Sequence, residues 1–411
     1  MYAFAADSAK RMLSSFGLTA SEADNSSRNT ASGPYQPSIC DVIIVKAMLQ
    51  RHCGLPLELV DAVMDEAAYW AHARAEVNFF KESGSDLVVS SRSYSSRSAT
   101  AGNRFLLRTP PLGFQRAPVR GGIAAQKTYT TQEPEPVPSG EVAGSGECSA
   151  NDIRGWLPAN QAPQFAHPCR KIVFTMVSRD QGWASSVRER GTYKGSYSWF
   201  DVGLERYGWK EKPASAKEDT SPGIQTESGT RTGKEKDSET APLCPAAPEA
   251  AVLYTVRPAV IATPSSPPPI LQISRRDQPP DRPPSQWQFD FPLNPGNDRL
   301  QSNCVATKNF TKHTVVWSWT DEKPARVEES AEVIPEDTLG EEDNIGFVTA
   351  HREPFSQCPL DEIGRGSDTG DGSFVNSLRV GDVVTVWAKA RFPGWVNMVR
   401  SAQVDVYWAV S

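Results

Sequence analysis

The chain lacks the long apolar segments that identify membrane proteins and the signal peptide that identifies secreted ones. Its 411 residues contain no uninterrupted apolar run of about 18 residues, so we expect no membrane-spanning helix and no membrane partner. The N-terminal stretch through Leu18 lacks the basic start and the long apolar core of a signal peptide. We therefore predict a protein of the cytoplasm, the nucleus or both.

Cysteine and histidine are too scattered to form a recognisable metal or catalytic motif. The seven cysteines include no CxxC pair, and their odd number indicates reduced thiols. The five histidines show no HExxH pattern, and no GxSxG, P-loop or GxGxxG motif occurs. A contact between His313 and Asp180 is conceivable, but no motif supports it. We predict no metal, no cofactor and no catalytic residue, and an enzyme of unknown type stays an open alternative.

Apolar residues are also scarce for a chain of this length. They make up 38% of it, below the roughly 45–50% of average chains, a figure that includes glycine. Proline is abundant, with 33 residues where average usage gives about 20. This mixture predicts folded segments separated by segments that bury too little apolar surface to fold. The net charge of −6 is nearly balanced, so we expect no nucleic-acid partner.

The first part of the chain has one helical region. Residues 1–38 have little structural pattern, and their second half, from Ser21 to Pro37, is polar, so we predict a flexible N-terminus. Apolar residues then recur at helical spacing from Val42 to Leu49, and Gly54 is a suitable helix end. Pro56 suits the first turn of a second helix. We predict a helical hairpin over residues 39–80.

Two long polar segments follow at different places in the chain. Residues 81–165 predict a mostly disordered linker, apart from an apolar island at 104–114 that is either a docked strand or a short peptide ligand. Residues 210–299 are rich in Pro, Ser, Lys and Glu and predict a disordered insert. Within the insert, local order is expected at 252–261 and 287–291.

The remaining residues have the alternating pattern of β-strands. In residues 166–209 and 300–411, apolar and mixed faces alternate, most regularly from Val404 to Val410. Neither block has enough strands to close a core alone. We therefore predict a mainly β fold, an antiparallel jelly-roll-like β-sandwich split by the insert, with the N-terminal helical hairpin beside it.

Tryptophan is concentrated in the β blocks, and two of these residues fall in predicted turns. Trp183 follows Asp180 and Gln181, and Trp395 precedes Asn397. A loop tryptophan beside polar side chains can stack on a ligand while the polar groups orient it. We predict that these five residues bind a carbohydrate-like molecule or a protein, in a non-enzymatic binding protein. The alternative is that both rings close the ends of the β domain.

A second candidate lies at the start of the second helix. The segment Leu55-Pro56-Leu57-Glu58-Leu59 resembles the opening of an F-box, whose helix docks on the adaptor subunit of a ubiquitin ligase. The resemblance covers about fifteen residues and implies partner binding through Leu57, Leu59 and Val63. The alternative is a hairpin that packs on the β domain.

A broader resemblance extends over most of the predicted ordered sequence. Its motifs are the Leu-Pro-Leu-Glu-Leu helix at 55–59, the island at 105–114, the turn at 180–183 and the Phe-Pro-Gly-Trp-Val-Asn segment at 392–397. In this order they are similar to uncharacterised proteins of filamentous fungi. That resemblance carries no established activity and implies none for this chain.

Overall fold

The computed structural model describes the folded part of the chain in several ranges. These are residues 36–90, 102–134, 146–158, 161–184, 187–209, 247–248, 250–258, 260–261, 288–289, 291, 294–321, 331–334, 363–366 and 370–410. Residues 1–35 of the predicted flexible N-terminus (1–38), most of the predicted insert and parts of the predicted linker lie outside the described residues.

Six helices and one 3-10 turn occur within these ranges. They are α1 (Ile39–Cys53), α2 (Leu57–Glu66), α3 (Phe79–Ser83), α4 (Ile123–Thr131), α5 (Ala150–Arg154), α6 (Ser373–Ser377) and the 3-10 turn at Val187–Glu189. Helix α1 begins with a capping box, in which Ser38 and Asp41 bond to each other's main-chain N–H groups. It ends at Gly54, whose φ of 65° is a left-handed conformation that glycine adopts without strain.

The helical hairpin ends at Glu66, fourteen residues earlier than the predicted boundary at residue 80. The next element is the strand β1 (Ala71–Asn78), in which small apolar side chains point inward and polar ones outward. Alanine, arginine and glutamate all favour helices in isolation. Pairing with a neighbouring strand overrides that preference here.

The strands form two antiparallel sheets and a small two-stranded one. After β1 they are β2 (Leu87–Ser90), β3 (Asn103–Arg108), β4 (Cys169–Arg179), β5 (Ser198–Trp209), β6 (Ala251–Arg257), β7 (Val260–Ile261), β8 (Gln288–Phe289), β9 (Gln301–Ser302), β10 (Phe310–Ser318), β11 (Ala331–Ile334), β12 (Val383–Ala390) and β13 (Val396–Trp408). The first sheet has the order β1-β13-β4-β10-β11, with β2 also on β13. The second has the order β3-β12-β5-β6, with β9 also on β5, and β7 pairs with β8.

Strands that are far apart in sequence are neighbours in both sheets. Strand β4 lies between β13 and β10. Strand β5 pairs with β12 along its first eight residues. Strands from both sides of the insert therefore contribute to each large sheet. The predicted mainly β, antiparallel class is confirmed, and the jelly-roll connectivity stays a prediction.

The two large sheets share one hydrophobic core. Their inner faces contribute large side chains, such as Phe174 and Trp408 from the first sheet and Phe200 and Val386 from the second. Helix α1 adds Val42 and neighbouring apolar residues to the same cluster. Burial of this apolar surface is the main force that holds the sheets together.

The outer face of the second sheet is also covered. One cluster there includes Trp156 and Tyr207, and another joins Trp387 to Phe289 and Phe291. The covering residues come partly from the segments that the sequence predicts to be disordered.

The prediction of a mostly disordered linker is therefore wrong for part of its length, whereas the strands of the insert lie where local order is expected. The linker 81–165 supplies β2, β3, α4 and α5, and β3 pairs with β12 where the island was expected. The insert 210–299 supplies β6, β7 and β8, close to the two places where local order was expected. The physical reason is that a sheet with both faces buried needs apolar cover from elsewhere in the chain.

Candidate functional site

Four aromatic side chains form a cluster at one end of the two sheets. We call it the aromatic rim; it consists of Trp183, Tyr197, Phe392 and Trp395. Ring centroids lie 5.4 Å apart for Trp183 and Trp395, 5.3 Å for Tyr197 and Trp395, and 4.7 Å for Tyr197 and Phe392. The two tryptophans that the sequence places in separate turns are therefore in contact.

The position of the rim follows from the ends of four strands. Trp183 lies just after β4, and Tyr197 lies just before β5. Phe392 and Trp395 lie in the loop that leads from β12 in the second sheet to β13 in the first. Since β4 pairs with β13 and β5 pairs with β12, all three loops meet at the same end.

The four rings differ in how much of their surface reaches solvent. Trp183 is 42% exposed and Phe392 is 40% exposed, whereas Trp395 is only 4% exposed. Tyr197 is half-buried between them. Trp183 and Phe392 therefore present ring surface outward, and the other two rings support them from below.

The loop backbone is shaped to hold these rings. Gly394 has a φ of 92°, and a Cβ atom there would lie 2.9 Å from the Trp183 ring, so only glycine allows the ring to approach this closely. Phe392 has a φ of 62°, in the left-handed region that large residues rarely occupy. Such a conformation costs on the order of 1–3 kcal/mol, and residues that keep it are concentrated at functional sites.

Gln181 positions the rim instead of facing a ligand. Its Oε1 accepts a hydrogen bond from the Val396 main-chain N–H at 3.1 Å. Its Nε2 donates to the Trp183 carbonyl at 3.0 Å. Both ends of the amide therefore fasten the loop that carries Trp183 to the start of β13.

Asp180 is buried beneath the rim, so the structure does not support its predicted contact with a ligand. Its two carboxylate oxygens accept hydrogen bonds from the main-chain N–H groups of Gly182 at 2.9 Å and Ala306 at 2.7 Å. Burial raises the pKa of the Asp180 carboxyl, and these main-chain bonds act in the opposite direction. Nor does His313 contact Asp180; its Nε2 lies 3.1 Å from the Tyr193 hydroxyl.

Asn397 is a core residue, and its predicted role in binding is not supported by its position. It is fully buried, and its Nδ2 donates to the carbonyls of Trp199 at 3.1 Å and Lys389 at 3.3 Å. Its Oδ1 accepts from Asn303 Nδ2 at 3.0 Å, and Asn303 in turn bonds to Ser198 and accepts from Ser178. This buried amide network joins both sheets where the rim begins.

Phe392 and Tyr197 are the rim residues that sequence reasoning missed. Tyr197 lies just before Trp199 and Phe200 at the start of a predicted strand, so its sequence context predicts a core side chain. The sequence does indicate that Phe392 is exposed, because the Phe-Pro-Gly-Trp segment has the composition of a tight turn, where a large ring has little room to be buried.

The predicted partner-binding residues of α2 lie on two different faces. Leu57 is 47% exposed and Leu59 is 53% exposed, whereas Val63 is partly buried against the core. The buried face of α2 consists of Val60 and Met64. The large apolar side chains that this helix exposes therefore lie in its first turn.

Comparison with known proteins adds no family to this description. No protein-family model, curated protein or solved structure matches the chain.

Among the described helices, none is long and apolar enough to cross a membrane. Within the described ranges, no group of three or more His, Cys, Asp or Glu side chains is arranged to hold a metal ion.

Proposed function

We propose that this protein is a non-enzymatic binding protein and that the aromatic rim receives its ligand. The observation that carries the proposal is the contact between an exposed Trp183 and a buried Trp395. Exposed tryptophan and phenylalanine rings within one cluster are costly to leave in water, and they offer a large contact area to a partner.

The rim is suited to binding because its rings are already held in place. Trp183 is held by Trp395 and by the hydrogen bonds of Gln181, and Phe392 packs edge-on against Tyr197. Fewer side-chain rotations are lost when such rings bind, so less of the contact energy is spent on ordering them. The left-handed conformation of Phe392 supports the same conclusion, since it keeps the ring exposed.

The polar surroundings favour a peptide over a sugar. Specific recognition of a sugar requires polar groups that orient its hydroxyls. Asp180 and Asn397 are buried, and both ends of the Gln181 amide are hydrogen bonded within the protein. We therefore propose a peptide ligand that places an apolar or aromatic side chain against Trp183 and Phe392, and a carbohydrate-like ligand is the alternative outcome of the test.

The test is a screen of the full chain against a peptide library and a glycan array, followed by titration of the best ligand. Trp183→Ala and Phe392→Ala are expected to weaken binding about tenfold or more each, because each removes an aromatic anchor. Phe80→Ala is the matched control, since Phe80 is equally exposed but lies on α3. Ligands that bind the wild type and both rim variants with equal affinity would refute the role of the rim.

A second function is favoured by the exposure of Leu57 and Leu59. We propose it as the alternative, in which the first turn of α2 docks on the adaptor subunit of a ubiquitin ligase. In a binding assay with the purified adaptor, Leu57→Ala and Leu59→Ala together should abolish capture. Ile123→Ala is the control, because Ile123 is more exposed and lies on α4. Absence of any capture by the wild type would remove this alternative.

A further inference from the structure

Charged and polar side chains are buried together on the covered face of the second sheet. We call this group the buried corner; it consists of Trp199 and Asp201 on β5, Lys389 on β12, and Arg391 just after β12. Lys389 is the cross-strand partner of Trp199. Lys389 is 1% exposed, and the other three are buried as well. The corner lies next to the rim, because Arg391 precedes Phe392 in the chain, but its chemistry is different.

The corner contains more positive than negative charge. Lys389 forms an ion pair with Asp201, and Arg391 lies with its guanidinium 5.2 Å from the Trp199 ring. Burial lowers the pKa of the Lys389 ammonium to about 8, although the Asp201 carboxylate raises it. Burial also lowers the pKa of the Arg391 guanidinium to about 10, although the Asp201 carboxylate raises it. Among the described residues, Asp298 is a second carboxylate that raises the Lys389 pKa, but it is paired with Arg257. These five groups therefore carry one more positive than negative charge, which favours a monoanion beside Lys389 and Arg391.

Two buried polar atoms of the corner have no hydrogen-bond partner among the described residues. They are the Trp199 Nε1–H, a donor, and the Asp201 Oδ1, an acceptor. Native proteins rarely leave such atoms unsatisfied, because each loses its bonds to water when it is buried. Both atoms belong to the same face of one strand, so one ligand with an acceptor and a donor can satisfy both.

Aromatic rings cover the charged groups. The Phe291 ring lies 3.5 Å from Lys389 Nζ, and Phe289 and Phe291 both pack on Trp387. Phe289 ends the short strand β8, which pairs only with β7 among the described strands and not with the sheet beneath. The contacts of Phe289 and Phe291 with Trp387 and Lys389 are side-chain contacts, so displacing the Phe291 ring uncovers Lys389 without breaking a strand pair of the second sheet.

We propose that the buried corner binds a small hydroxy acid that carries an aromatic or apolar group. The carboxylate lies between Lys389 and Arg391 and accepts from the Trp199 Nε1–H, and the hydroxyl donates to Asp201 Oδ1. The apolar group takes the place of the Phe291 ring against Trp387. This site is separate from the aromatic rim and does not depend on the function proposed for it.

The test uses calorimetric titration of the full chain with mandelate and two analogues. Mandelate has the carboxylate, the hydroxyl and the ring; phenylacetate lacks the hydroxyl, and mandelamide lacks the charge. Mandelate is expected to bind, phenylacetate about tenfold more weakly because Asp201 is then left unsatisfied, and mandelamide not measurably. Equal binding of mandelate and mandelamide would overturn the proposal.

Variants assign the binding to the corner. Lys389→Met should abolish mandelate binding, and Lys389→Arg, which keeps the positive charge, should retain it. Lys46→Met is the matched control, since Lys46 is also buried and paired, with Asp61 at 2.5 Å, but on α1. Phe291→Ala should bind mandelate at least as tightly as the wild type does. Failure of both the wild type and Phe291→Ala to bind, or unchanged binding by Lys389→Met, would show that the inference is wrong.

Discussion

The buried amide network around Asn397 allows a stability prediction with a defined magnitude. Asn397 makes three hydrogen bonds, two through Nδ2 and one through Oδ1. Each such bond contributes about 1 kcal/mol net, and a buried partner that is left unsatisfied costs about 1–3 kcal/mol. Asn397→Ala should therefore lower the free energy of unfolding by about 3 kcal/mol.

A double-mutant cycle with Asn303 tests whether the two amides act together. Asn303 donates to Asn397 and is itself bonded to Ser178 and Ser198, so Asn303→Ala should be destabilising by a similar amount. Once one amide is gone, part of the network is already lost. The double variant should therefore be less destabilised than the sum of the single variants, by about 0.5–3 kcal/mol.

The assay is equilibrium unfolding in urea, followed by tryptophan fluorescence and circular dichroism. Asn376→Ala serves as the control, because Asn376 is exposed and donates one bond, to the Trp319 carbonyl at 2.9 Å. It should cost no more than about 0.5 kcal/mol. An Asn397→Ala effect as small as that of the control, or strict additivity with Asn303→Ala, would refute the view that this network joins the sheets.

Three further predictions concern other parts of the molecule. Trp395→Ala should lower the free energy of unfolding by about 3–5 kcal/mol and Trp183→Ala by about 1 kcal/mol, because Trp395 is buried and Trp183 is exposed. Equal decreases in melting temperature for the two variants would mean that both rings are part of the core. Burial, with a smaller effect of the neighbouring Arg365 guanidinium, lowers the pKa of His313 to about 3. The contribution of neutral His313 to the free energy of unfolding is therefore fully present above its unfolded-state pKa of about 6.5 and is lost as the pH falls toward 3. His313→Phe should make the urea midpoint depend less on pH between pH 7 and 4. Burial raises the pKa of the Cys169 thiol to about 12, whereas Cys40 is exposed. Brief treatment with iodoacetamide at neutral pH should therefore label Cys40 and leave Cys169 unmodified. Mass spectrometry that finds the label on Cys169 and not on Cys40 would contradict the burial.

The strands of the two β blocks are visible in the sequence because their side chains alternate. Strand β13 buries Val404, Val406 and Trp408 and turns Gln403 and Tyr407 toward the other face, as the period of two predicts. Strand β1 was missed because its buried positions are mostly alanine, which is compatible with a helix as well. Only its pairing with β13 makes it a strand.

The candidate site was predictable in part. The turn composition around Trp183 and Trp395 indicates loops, and both residues do lie in loops that meet at one end of the sheets. The polar residues near them have the composition of a binding loop, but Asp180 and Asn397 bond inward to main-chain groups. The direction of a short polar side chain depends on which unsatisfied groups lie nearby after folding.

The amino-acid sequence alone determined the secondary-structure class and the tight turns, because these depend on local spacing and composition. Tertiary structure decided which rings are exposed, which polar side chains are buried, and which segments of low apolar content fold onto the second sheet. These outcomes depend on contacts between residues hundreds of positions apart, such as the hydrogen bond from Lys46 to the Val410 carbonyl. Such contacts cannot be predicted from the spacing and composition of a short segment.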